Sequence, residues 1–186
     1  MLKYLIPLFL LCSCGIDRTI SPVNSSESDL LSIFRQLPDE HKVKIADDDE
    51  PGERLTLCLT FVEKETSKPV SNQEVLFYHT SSGGEYQPTD PSDESTARLN
   101  GRARTDTEGR IYVETILPGD YGSSPDNRHI HTTVFGAHPE AYDIHFKQYT
   151  GFMGKNFISG SDQHFLADLK LTEGTLIALV RLEIKK

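Results

Sequence analysis

From residue 54 onward, apolar and polar side chains alternate in short runs separated by Gly, Pro, Asp and Asn. That two-residue period belongs to half-buried strands. It predicts strands near 54–63, 73–79, 110–116, 129–135, 142–149 and 174–184. Residues 64–69 read as the turn joining the first two. Asp106 to Gly109 read as a turn ahead of the third, with the aspartate carboxylate on backbone amides and the glycine at positive φ. Earlier in the chain the period changes. Leu30, Leu31, Phe34 and Leu37 recur at helical spacing, with Ser28 or Asp29 as N-cap and Pro38 beyond the end, which predicts a short helix over 29–37. The serine-rich stretch 19–27 reads as a spacer. The acidic run 47–50 reads as a solvated loop, because it lacks the spaced oxygen ligands of a calcium loop. Residues 80–103, rich in Ser, Gly, Pro and Asp, form too long a connection to be idle and mark a functional loop. The fold class is all-β, a β-sandwich preceded by a short N-terminal helix and a tether.

A chain of 186 residues with 37% hydrophobic side chains can build one domain core. Its formal net charge of −9 argues against a nucleic-acid partner. At the amino end, Lys3 precedes an apolar run from Leu5 to Leu11, which has the form of an export leader and is too short to span a bilayer. The following Leu11, Cys12, Ser13, Cys14 and Gly15 resemble the cleavage box of bacterial lipoproteins, with Cys14 as the lipidated residue. Cys12 fits less well because Leu10 and Leu11 stand where small residues are wanted. This reading divides the chain into a leader (1–13), a tether with a short helix (14–50) and a main domain (51–186). It implies an exported protein of the cell envelope whose only membrane contact is the N-terminal lipid. Once the leader and its lipidated cysteine are set aside, Cys58 alone remains as a thiol, so an internal disulfide is excluded. Cys58 lies in an alternating run and reads as a small strand residue.

The residues that point to chemistry are His129 and His131. In a strand, i and i+2 share a face, so both imidazoles reach one point. Two tyrosines stand beside glycine-marked bends: Tyr86 after Gly83 and Gly84, and Tyr121 after Pro118 and Gly119. Taken one at a time, each tyrosine also reads as a core aromatic. Two phenolates and two neutral imidazoles suit a hard, highly charged cation, which points to Fe(III), whereas zinc selects His, Cys or carboxylate.

These motifs, in this order, resemble the intradiol ring-cleavage dioxygenases, the family of catechol 1,2-dioxygenase and protocatechuate 3,4-dioxygenase. Residues 67–86 (SKPVSNQEVLFYHTSSGGEY) look like the family's turn, strand and Gly-x-Tyr segment. Residues 101–121 (GRARTDTEGRIYVETILPGDY) look like its stretch leading to Pro-Gly-x-Tyr, and the histidine pair follows at a similar interval. The resemblance covers about 54–150. It implies a β-sandwich of the intradiol core type that holds non-haem Fe(III) through Tyr86, Tyr121, His129 and His131, with Tyr121 and His131 axial. It further implies cleavage of a small aromatic diol by O2 to a muconate-type diacid, Tyr121 serving as a proton acceptor when it leaves the metal.

Two positions depart from the pattern. Family members carry an Arg three residues before the first histidine, where this chain has Asp126. Arg128 is the candidate for that catalytic cation, although strand alternation turns it from the ligand face. Gln148 resembles the glutamine beyond the metal, displaced by a residue or two. His138, His145 and His164 lack a partner at ligand spacing and are assigned surface or core roles. Other readings are a non-catalytic module similar to transthyretin-like and carboxypeptidase-regulatory domains, which share the turn signals, and a degenerate dioxygenase that binds iron or a diphenol with poor turnover.

Overall fold

The computed structural model describes residues 18–122, 125–151, 158 and 160–186. The leader 1–13 and Cys14 lie outside the described residues. The elements are β1 (Ser21–Pro22), α1 (Ser25–Arg35), β2 (Lys42–Lys44), β3 (Arg54–Glu63), β4 (Glu74–His79), β5 (Leu99–Arg104), β6 (Arg110–Ile116), β7 (His129–Val134), β8 (Ala141–Phe146), β9 (His164–Ala167), β10 (Lys170–Thr172) and β11 (Thr175–Ile184), with three short 3₁₀ turns. They form a six-stranded sheet, β1-β10-β11-β3-β6-β2, and a five-stranded sheet, β5-β4-β7-β8-β9. The described residues are therefore mostly strand with one α-helix.

The alternation in β3 explains its place. Leu55, Leu57, Leu59 and Phe61 enter a core that also receives Val75 and Phe77 from β4, Ile130 and Val134 from β7, and Ile144 and Phe146 from β8. Apolar burial on this scale is the main favourable term in folding. The two sheets are also joined by hydrogen bonds. His79 is fully buried; its Nδ1–H donates to the Thr80 carbonyl (2.7 Å), and its Nε2 accepts from the Thr115 hydroxyl of the opposite sheet (2.7 Å).

The other side of the six-stranded sheet is covered by α1, whose Leu31 and Phe34 pack with Leu37 against Cys58, Tyr112 and Ile177. Cys58 is a buried strand residue, as expected, and burial pushes its thiol up to about 12. The helix starts earlier than its apolar spacing predicts. Asn24 is the N-cap, and Glu27 completes a capping box by accepting from the Asn24 amide (2.9 Å) while the Glu27 amide donates to the Asn24 side chain (3.0 Å). The stretch read as a spacer is thus engaged from β1 onward, where Ser21 and Pro22 pair with Lys170 and Leu171.

The expected long loop 80–103 is also shorter than predicted. β5 pairs with β4 along its whole length. Its sequence, with Asn100, Gly101 and two arginines, carries little strand signal, but Gly101 is required there. A Cβ at that position would stand 2.5 Å from the Val43 side chain of β2, where the edges of the two sheets meet. The turn at Asp106 forms as read: the carboxylate accepts from the Glu108 and Arg110 amides, and Gly109 has φ +76°.

Candidate metal centre

Strand β7 separates two environments. Ile130 and Val134 face the core, while His129 and His131 face the opposite side of the five-stranded sheet. Register sets their neighbours: Tyr78, His131, Asp143 and His164 form one row across β4, β7, β8 and β9, and His129 stands opposite His145.

Two loops bring the tyrosines to this face. Gly84 has φ +84°, and a Cβ there would lie 2.3 Å from the Asp120 carbonyl oxygen. A Cβ on Gly119 would lie 2.5 Å from the Gly84 nitrogen, and the Gly119 amide donates to the Ser81 carbonyl (2.9 Å). Only glycine permits this backbone-to-backbone contact, which sets the loop before Tyr86 against the loop carrying Tyr121.

The structure brings all four expected residues together. The Nε2 atoms of His129 and His131 are 3.2 Å apart. The Tyr86 hydroxyl donates to His131 Nε2 at 2.7 Å. The Tyr121 ring lies 5.3 Å from that of Tyr86 and 6.0 Å, edge-on, from that of His129. Its hydroxyl donates to Glu94 Oε1 at 3.2 Å. Tyr86 is buried and Tyr121 is 39% exposed, so the cluster opens toward solvent on the Tyr121 side.

Hydrogen bonding fixes the imidazole tautomers. His129 Nδ1 faces the Asn127 carbonyl (3.2 Å) and His131 Nδ1 faces Asp143 Oδ1 (2.7 Å). Both partners only accept, so each Nδ1 carries the proton and each Nε2 presents a lone pair. Two lone pairs that converge at 3.2 Å cannot bond to each other. The Tyr86 hydroxyl satisfies the His131 lone pair, so the His129 lone pair is the one that faces another acceptor, and a cation taking the place of the hydroxyl proton would engage both nitrogens. Burial, followed by the neighbouring His131, holds the His129 pKa below its usual value, which keeps the ring neutral and able to ligate. Burial also raises the Tyr86 phenol, with Glu94 and Tyr121 adding to the effect. A multivalent cation at the cluster reverses that shift and favours phenolate. The donor set of two imidazole nitrogens and two phenol oxygens therefore fits Fe(III).

Two expected catalytic residues lie elsewhere. Gln148 is buried, and its amide group donates to the Thr19 carbonyl (3.2 Å) and Asp168 Oδ1 (3.0 Å) while accepting from the Leu169 amide (3.2 Å). It clamps the amino-terminal segment to the β9–β10 connection and does not serve the metal cluster. Arg128 stacks its guanidinium over the Tyr149 ring at 4.2 Å, with Nε 3.5 Å from Asp120 Oδ1. That position braces the loop that carries Tyr121. Asp126, the position that departs from the expected arginine, accepts two hydrogen bonds from Arg18 (2.6 and 2.8 Å).

The sequence reading missed Tyr78, Glu94, Asp143, His145 and His164. Tyr78 stacks on His131 with centroids 4.6 Å apart. His129, His131 and Asp143 offer ligand atoms within 4.8 Å of one another, and so do Asp143, His145 and His164. The histidines assigned to bland roles therefore adjoin the centre, with His145 centred 5.1 Å from His129. A signal was present. Asp143 and His145 have the same i, i+2 spacing as His129 and His131, inside a predicted strand.

Comparison with known proteins gives the family and the fold. A family profile described as Dioxygenase matches residues 33–171, most of the chain. The chain belongs to this intradiol dioxygenase family, which uses Fe(III). The catechol 1,2-dioxygenase of Acinetobacter baylyi is 34% identical over 79 residues, a stretch that covers 42% of this chain and only 25% of that enzyme. An intradiol ring-cleavage dioxygenase from Tetranychus urticae superposes with a TM-score of 0.55 at 20% identity, covering 76% of this chain and 85% of its own. Catechol 1,2-dioxygenase from Acinetobacter sp. ADP1, inhibited by bound mercury, gives 0.58 at 20% identity, covering 78% of this chain and 57% of its own. At such identities the likeness is one of fold.

Proposed function

We propose that this protein is a ferric-iron-dependent intradiol dioxygenase that uses O2 to open a catechol-type ring between its two oxygenated carbons, giving a muconate-type diacid. In this reading a β-sandwich of the intradiol core type holds the iron through Tyr86, Tyr121, His129 and His131. The observation that carries the reading is the convergence of two unprotonated imidazole nitrogens at 3.2 Å with the Tyr86 hydroxyl 2.7 Å from one of them.

When bound, Fe(III) supplies Lewis acidity that favours deprotonated diol oxygens and withdraws electron density from the ring. The chain's own residues do the rest. His129 and His131 are held in orientation by Asn127 and Asp143, so the nitrogens need no rearrangement to ligate. Tyr86 is fixed in a buried setting. Tyr121, more exposed and hydrogen-bonded to the exposed Glu94 carboxylate, would be the phenol placed to accept a substrate proton. Tyr78, stacked on His131, walls the β4 side of the cluster.

The experiment is to load the purified protein with Fe(III), record its visible spectrum and measure oxygen uptake on catechol, protocatechuate and hydroxyquinol. A red-brown phenolate-to-iron absorption and uptake with at least one diol are expected. A colourless protein that carries zinc instead would overturn the reading. A second reading, an iron-binding homologue with weak turnover, is favoured by Asp126, which stands where the resemblance implies an arginine and is paired with Arg18. Colour without oxygen uptake would select it. Anchoring of the exported chain to the cell envelope by lipid on Cys14 is also part of the proposal, supported by the leader-like run after Lys3. Among the described residues, no helix is long and apolar enough to cross a membrane.

A further inference from the structure

We propose that Asp143, His145 and His164 form a second cation site, for a divalent ion of the zinc class, that shares Asp143 with the first cluster. Adjacent strands place the three side chains on one sheet face. Asp143 pairs in register with His164 of β9, and His145 lies two residues beyond Asp143 on β8. Their ligand atoms all lie within 4.8 Å of one another. The 3.6 Å between His164 Nε2 and Asp143 Oδ2 is too long for a good hydrogen bond. It is close to the roughly 3.4 Å that separates two ligands around tetrahedral zinc with bonds of about 2.1 Å.

The independent sign of a ligand is His145. The residue is 3% exposed, and its Nε2 is buried with no hydrogen-bond partner. Such an atom is a cost that a bound ion would remove. Its ring is packed between those of His129 (5.1 Å) and His164 (5.0 Å), and one of its nitrogens lies within 4.8 Å of ligand atoms of Asp143 and His164. Two neutral imidazoles and one carboxylate select zinc-class ions over calcium or magnesium, which require oxygen ligands. Three protein ligands leave a coordination position open, and side-chain exposures of 25% for Asp143 and 20% for His164 give an ion a way in. Asp143 then has two tasks. Oδ1 orients His131 toward the first cluster, and Oδ2 faces the second.

The test uses the full, metal-free protein and needs no iron, so it is independent of the proposed oxygenase activity. Zinc binding is measured by calorimetry and cobalt binding by its visible absorption in the parent chain and in His164→Asn, His145→Gln and Tyr86→Phe. Thermal melts monitor folding. His164 is only partly buried near the start of its strand, so its variant keeps the test decisive if His145→Gln does not fold. The expected result is a binding event that weakens at least about tenfold in His164→Asn and persists in Tyr86→Phe, since even outer partners of a metal ligand cost about 10–100-fold. Equal zinc affinity in His164→Asn and the parent chain, or no zinc binding by the parent chain, would overturn the proposal.

Discussion

The two sheets share one core but treat their other faces in opposite ways. The six-stranded sheet presents Cys58, Tyr112 and Ile177, and α1 covers them with Leu31 and Phe34. The five-stranded sheet presents Tyr78, His129, His131, Asp143, His145 and His164, and two glycine-hinged loops bring Tyr86 and Tyr121 to them. One face lowers free energy by burying apolar area. The other concentrates imidazole, phenol and carboxylate groups, some paired with one another and some, such as His145 Nε2, without a partner. Stability and chemistry are thus assigned to different surfaces of the same scaffold, and substitutions on each should separate cleanly.

The largest stability loss should come from the covered face. Phe34→Ala, at a position 1% exposed, is expected to cost about 3–5 kcal/mol in denaturant unfolding while the refolded protein retains its metal stoichiometry. Between the faces lies His79. Burial lowers its pKa to about 4, whereas an unfolded histidine titrates near 6.5. Its stabilising effect is therefore complete above about pH 6.5 and is lost as pH falls toward about 4, by a few kcal/mol in all. His79→Gln should flatten that part of the stability–pH profile, and an unchanged profile would place the acid sensitivity elsewhere. Gly119→Ala, whose new methyl would meet backbone at 2.5 Å, should cost about 1–3 kcal/mol and lower iron occupancy by displacing the Tyr121 loop. The smallest change in stability belongs to the chemical face. His131→Ala should alter the unfolding free energy of the metal-free protein by about 1 kcal/mol or less, yet abolish the iron absorption. Substantial unfolding in that variant would break the division between the faces.

The long strands were legible because β3 and β11 repeat apolar residues in every second position, and the structure places both within a residue of the predicted bounds. β5 was hidden because its role depends on Gly101 making room for Val43, a tertiary requirement that a local pattern does not carry. The helix start was obscured by serines that disguise the capping pair Asn24 and Glu27. At the site, the meeting of Tyr86, Tyr121, His129 and His131 followed from the order of motifs. The grouping of Asp143, His145 and His164 did not, because His164 reaches Asp143 only through the parallel pairing of β8 and β9, distant along the chain. Gln148 misled for the opposite reason. A displaced sequence position was enough to turn its amide toward Thr19 and Asp168.

The parallel pairing of β11 with β3 bears on how the molecule is made. Nine consecutive residue pairs join them, from Leu176 opposite Leu55 to Ile184 opposite Glu63, in the middle of the larger sheet. Strand β11 lies far beyond β3 in the chain, with β4 to β10 between them. Until β11 joins it, β3 has no neighbour on one edge, and closing so large a loop makes completion of the larger sheet a slow step. A folding molecule therefore passes through an interval in which a bare β3 edge can pair with other chains, a hazard that ends when β11 docks.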